Sequence, residues 1–130
     1  MAYNLLIVDD SKTVRSVITK ALRAAGIPTN LVLEAQNGLE ALDLLRNNWI
    51  DLVLADINMP VMNGVEMLER MKADADLEAT PVVVVSTEGS STRIARLEEL
   101  GVRFFLRKPF RPEQLRDAII SNLGEIDAQH

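Results

Sequence analysis

Five short apolar runs alternate with five segments whose apolar residues recur at helical spacing. This alternation limits the chain to a doubly wound parallel sheet with helices on both faces. The predicted strands are Leu5–Val8, Leu31–Ala35, Leu52–Ala55, Val82–Val85 and Val102–Leu106. Val82–Val85 is β-branched throughout, which suits a strand buried on both faces. The first helix is expected from an N-cap at Ser11 to Ala25, with Val14, Val17, Ile18, Ala21 and Leu22 on one face. Gly26 and Pro28 stop it. A second helix follows Asn37-Gly38 to about Arg46, and Val65, Leu68 and Met71 mark a third. Ser90 to Leu100, ended by Gly101, reads as the fourth. Pro112 opens the fifth, whose buried stripe is Leu115, Ala118, Ile119 and Leu123. Crossovers between the parallel strands should be right-handed.

Composition narrows the function. A hydrophobic fraction of 48% in 130 residues supports one real core and a single domain over 1–130. A net charge of -5 disfavours general nucleic-acid binding, which needs a basic surface. The absence of cysteine excludes disulfides, thiolate metal sites and cysteine nucleophiles. Met1–Ile7 lacks a basic leader region, and no run approaches the roughly 20 apolar residues of a membrane helix. A soluble cytoplasmic protein is therefore expected, with fraying over Asp127–His130.

In such a sheet, chemistry collects at the carboxyl ends of the strands. Asp9 and Asp10 end the first strand, Asp56 the third, and Ser86 and Thr87 the fourth. Lys108 and Pro109 follow the fifth. The second offers Glu34, Ala35 and Gln36, to which no chemistry is assigned. Clustered carboxylates repel and raise the pKa of at least one of them unless a cation intervenes. Mg²⁺ (or Mn²⁺) is a hard cation that suits such oxygen ligands. Lys108 and the Ser86 hydroxyl add groups able to meet phosphoryl oxygens, a set suited to phosphoryl transfer. Taken singly, each residue has a plainer use. Paired acids cap turns and helices, Ser86 reads as an N-cap, and a lysine before proline faces solvent. The functional reading rests on their joint occurrence at the right strand ends.

Those residues, as Val8-Asp9-Asp10-Ser11, Asp56-Ile57-Asn58-Met59-Pro60 with Asn63-Gly64, Pro81 through Ser86, and Lys108-Pro109-Phe110, resemble the receiver domains of response regulators. The resemblance spans Leu5 to about Leu123 and is CheY-like in layout. It implies a flavodoxin-like strand order 2-1-3-4-5. Asp56 would be the phosphoacceptor, taking its phosphoryl group from a sensor histidine kinase or a histidine phosphotransfer protein. Asp10 would bind Mg²⁺ directly, Asp9 mainly through water, and the Asn58 backbone carbonyl would be a further ligand beside Asp56. Ser86 and Lys108 would bind the phosphoryl group, and Phe105 would be the aromatic switch. A cis peptide is usual before the proline at Pro109. Here the hydroxyl is Ser rather than the commoner Thr, and the aromatic is Phe rather than Tyr. Asn58 and Glu88 would border the path of hydrolytic water, and their small, polar character implies a phosphoryl lifetime of minutes or less.

By the same resemblance, a downstream protein target would dock on the face of the fourth helix, fifth strand and fifth helix. Val102, Arg103, Arg107, Arg93 and Arg96 would lie on or near it; those arginines read equally as a solvated face. No direct nucleic-acid or membrane partner is expected. The protein would not be an enzyme, its chemistry being confined to its own phosphorylation and dephosphorylation. Phosphatases of the haloacid dehalogenase family are disfavoured, because they carry Asp-x-Asp after the first strand. Nucleotide binders of the Rossmann type are disfavoured because G-x-G-x-x-G and P-loop motifs are lacking. A module working without phosphorylation would not need the full acidic set. A stand-alone receiver is expected, no linker being evident near Asp127, with a fragment of a longer regulator as the alternative.

Overall fold

The computed structural model describes residues 2–87 and 90–127. Five strands and five helices alternate: β1 (Tyr3–Val8), α1 (Lys12–Ala24), β2 (Thr29–Ala35), α2 (Gly38–Asn47), β3 (Leu52–Ala55), α3 (Gly64–Lys72), β4 (Val82–Ser86), α4 (Ser91–Glu99), β5 (Phe104–Arg107) and α5 (Pro112–Asp127). All pairings are parallel and the order is β2-β1-β3-β4-β5. The Lys108–Pro109 peptide is cis.

Side chains of successive strand residues leave opposite faces of the sheet, and the core divides accordingly. Leu6, Val8, Val53, Ala55, Val82 and Val84 pack with α2, α3 and α4 residues such as Leu42, Leu68 and Leu97. Leu5, Ile7, Leu52, Leu54, Val83 and Val85 pack with Ile18 and Leu22 of α1 and Leu115 and Ile119 of α5. The buried β-branched run of β4 thus serves two cores at once.

Local signals set the element ends. Ser11, Asn37, Asn63 and Ser90 each cap a helix through the side-chain oxygen. Asn63 and Glu66 close a reciprocal capping box. Gly26 and Gly101 adopt φ of +71° and +96° just past α1 and α4, where a side chain would be strained.

Three strand starts differ from the expectation. β1 and β2 extend back to Tyr3 and Thr29, which pair with each other. β5 begins at Phe104 rather than Val102, because the Val102 N–H closes the end of α4 on the Leu97 carbonyl. Asp127 ends α5, while residues 128–130 of the segment expected to fray lie outside the described residues. Among the described residues no helix is long and apolar enough to cross a membrane.

Candidate functional site

Register builds the site. Val8 lies opposite Ala55, and the Asp56 N–H donates to the Val8 carbonyl, so the residues just beyond each strand meet at one sheet edge. This is the crevice at the carboxyl ends of β1 and β3, where the strand order reverses. Asp9, Asp10 and Asp56 bring one carboxylate oxygen each to within 4.8 Å of one another. Asp9 is buried at 2% exposure, and Asp10 is exposed.

Lys108 spans the crevice. Its Nζ donates to Asp9 Oδ2 at 2.7 Å and to Asp56 Oδ2 at 3.2 Å. The backbone N–H of Lys108 is held by the Ser86 carbonyl at 3.1 Å. Backbone amides hold the other carboxylate oxygens: Ser11 N–H on Asp9 Oδ1 at 2.8 Å, and Ile57 N–H on Asp56 Oδ1 at 2.7 Å. Both aspartates are therefore oriented before any ligand arrives.

Burial is the main influence raising the Asp9 pKa, outweighing the opposing effects of Lys108 and the Ser11 amide. The charge of Asp56 adds only a smaller push in the same direction. Depth in the crevice, rather than the mutual repulsion expected from clustered carboxylates, is thus the larger cause. For Lys108, burial acts to lower the pKa, but the carboxylates of Asp9 and Asp56 more than offset it and hold the ammonium above its ordinary value. The cluster sets three carboxylates against one ammonium, an excess of acidic groups. A divalent cation with oxygen ligands neutralises them, so this donor set fits Mg²⁺.

The profile of the response regulator receiver domain matches residues 5–120. The chain belongs to the response regulator receiver domain family. It is 38% identical over 121 residues to a chemotaxis protein CheY homolog of Campylobacter jejuni, covering 92% of each. It is 36% identical over 124 residues to the chemotaxis protein CheY1 of Helicobacter pylori, covering 95% of this chain and 98% of that one. Among solved structures, the Vibrio cholerae chemotaxis protein CheY4 superposes with a TM-score of 0.83 at 31% identity, over 95% of this chain and 100% of that one. A CheY-like receiver domain protein from Methanospirillum hungatei gives 0.86 at 25% identity, over the whole of both.

The other residues singled out from the receiver resemblance fall on the side of α4. Ser86 is buried at the end of β4. It lines a cavity of about 250 Å³ with Ile57, Val84, Ile94 and Phe105. Phe105 stands at the rim of this cavity, 37% exposed. The Asn58 side-chain oxygen accepts a hydrogen bond from Arg93 Nη1. Glu88 lies outside the described residues.

Three residues expected near an output face are placed otherwise. Val102 is buried in the core beneath α3 and α4. Arg96 pairs with Glu69 of α3 at 2.9 Å and Glu99 at 3.2 Å, and Arg93 reaches the loop after β3. Both guanidinium groups thus turn toward α3, leaving Arg103 and Arg107 exposed on either side of Phe105.

Strand two contributes more than the sequence suggested. Glu34 pairs with Arg15 Nε at 2.8 Å, and Arg15 Nη1 donates to the Asp9 carbonyl at 2.6 Å. The Ala35 carbonyl takes the Asp9 N–H at 3.0 Å. A basic residue four positions after the Ser11 cap and an acid at the end of a strand were the available signals. Only the β1–β2 register shows that they meet.

Proposed function

We propose that this receiver domain accepts a phosphoryl group on Asp56 and uses it to switch its surface toward a protein partner. The observation that carries the reading is the Lys108 bridge between Asp9 and Asp56 inside a cluster of three carboxylates, which fits a divalent cation and then a phosphoryl group. Asp10, Asp9, Asp56 and the backbone carbonyl of Asn58 would hold Mg²⁺, Asp9 mainly through water. The Asn58 side-chain oxygen is engaged by Arg93, so its backbone oxygen is the natural donor. When bound, the metal screens charge between the Asp56 carboxylate and the incoming phosphoryl group.

One Asp56 oxygen attacks phosphorus of a kinase or phosphotransfer phosphohistidine. The new O–P bond forms as the N–P bond breaks, and the electron pair leaves with the imidazole. The Ile57 amide holds the carboxylate in place during attack. Lys108 then exchanges Asp56 for a phosphoryl oxygen, and the Ser86 hydroxyl supplies a second donor. Movement of Ser86 opens the cavity it shares with Phe105, and the ring turns inward from the rim. The exposed edge formed by α4, β5 and α5 changes shape, and the equilibrium between two surfaces passes to the partner.

This makes the protein a switch rather than an enzyme, with only its own phosphorylation and autodephosphorylation as chemistry. The chemotaxis proteins among its relatives favour a protein partner over nucleic acid, as does the charge of -5. A cytoplasmic location follows from a histidine kinase as phosphodonor. Acetyl phosphate with Mg²⁺, followed by mass analysis, tests the reading. The wild type is expected to gain one phosphate and Asp56→Asn none. A gain that survives in Asp56→Asn, or none in the wild type, overturns it.

A further inference from the structure

Arg15 is a cation in an awkward place. It is the fourth residue of α1, whose first turn holds no acid, and the positive end of a helix repels a guanidinium. Its side chain is also only 11% exposed. Two contacts outside α1 hold it there. Nε pairs with Glu34, near the end of β2, at 2.8 Å, and Nη1 donates to the Asp9 carbonyl at 2.6 Å. The fork thus ends on a backbone oxygen and leaves the carboxylates of Asp9, Asp10 and Asp56 to the crevice.

The Asp9 carbonyl and the Asp10 N–H belong to one planar peptide group, so a bond to the first fixes the tilt of the second. That tilt matters more for Asp10 than for Asp9. Asp9 is held independently, with its N–H on the Ala35 carbonyl, Oδ1 on the Ser11 amide and Oδ2 on Lys108. Asp10 is exposed, and among the described residues no group donates to its carboxylate. Its aim is left to the backbone that carries it. We infer that Arg15 is a positioning residue for the divalent cation: by clamping the Asp9 carbonyl it orients the Asp10 carboxylate toward Asp9 and Asp56, while Glu34 offsets its charge. This inference rests on the crevice being a Mg²⁺ site.

The clamp and plain electrostatics predict opposite signs. A positive side chain near the site repels Mg²⁺, so on charge alone its removal tightens binding. Removal of a clamp weakens binding, because groups that orient metal ligands are commonly worth about tenfold or more in affinity. Calorimetric titration of the unphosphorylated protein with magnesium chloride, at fixed ionic strength, reads the sign without any phosphoryl transfer. Arg15→Met keeps an apolar stem but neither charge nor donors, and should bind Mg²⁺ about tenfold more weakly than wild type. Arg15→Lys keeps the charge but replaces the planar fork with one nitrogen, and should bind about threefold more weakly. Urea unfolding checks that each variant is folded under the titration conditions; if Arg15→Met is not, Arg15→Lys decides alone. Equal or tighter binding by folded Arg15→Met overturns the inference, and so does Arg15→Lys matching wild type. Wild type that binds no Mg²⁺ sinks the metal reading, and this inference with it; wild type that binds Mg²⁺ regardless of Arg15 sinks this inference alone.

Discussion

At the scale of single residues, Asp9 shows how the site trades stability for readiness. Its carboxylate is buried, and burial outweighs its bonds to Lys108 and Ser11. The native pKa therefore lies above the unfolded value of 3.8, and the native state binds more protons in between. Stability of the metal-free protein should fall as pH rises through the native pKa. Asp9→Asn is expected to be more stable than wild type at neutral pH in chelator, by on the order of 1 kcal/mol. That advantage should shrink as pH drops below the native pKa, which urea unfolding at several pH values would show. Val61 is a second residue held against its preference. It has φ of 67°, a conformation awkward for a β-branched side chain, and it is 75% exposed. Val61→Asn is expected to raise stability by about 1 kcal/mol, read as a higher urea midpoint with an unchanged slope.

Elements differ in how firmly they are held. The start of α3 is pressed against the loop after β3, with the Gly64 N–H on the Ile57 carbonyl at 2.8 Å. A Cβ on Gly64 would run into the Asp56 carbonyl oxygen and stand 3.0 Å from Ile57 Cα, both backbone atoms that cannot swing aside. Gly64→Ala should cost about 1–3 kcal/mol by overpacking. It should also slow phosphorylation by acetyl phosphate, because the Asp56 backbone has to shift. α4 is the opposite case. It fully buries only Leu97, while α2 buries Gly38, Ala41, Leu42 and Leu45, and its ion pair to α3 is exposed. Few buried contacts mean low local stability. Amides within α4 should exchange with deuterium faster than those of α2, and phosphorylation should change their rates more than those of α2.

Across the whole molecule, the sheet divides labour between a rigid body and an under-neutralised edge. Both cores meet β3 and β4, so the strands that present Asp56 and Ser86 are the most deeply seated. The site gathers three carboxylates around one ammonium, so cation binding and folding are linked. Mg²⁺ should stabilise the wild type by an amount that grows with the logarithm of its concentration, about 2.7 kcal/mol at a hundredfold excess over its dissociation constant, read as a rising thermal midpoint. Asp10→Asn should lose most of that gain. A rise of the same size with sodium chloride at equal ionic strength would mean that screening, not site binding, is responsible.

The amino-acid sequence alone determined the alternation of strands and helices, because periodicity and capping act over a few residues and need no tertiary partner. It also determined which residues stand at strand ends, and so the membership of the acidic cluster with Lys108. Chain folding decided what those residues meet. Val102 reads as a strand residue, yet it closes α4 and is buried in the core. Arg93 and Arg96 read as surface charges, yet they reach Asn58 and Glu69. Arg15 and Glu34 carry no local mark of the support they give Asp9. The arginine contacts link positions between 6 and 35 residues apart, and their geometry depends on register and helix rotation rather than on local preference. The same cause governs Asp9, whose altered acidity comes chiefly from depth in the fold, a property that exists only once the sheet has closed around it.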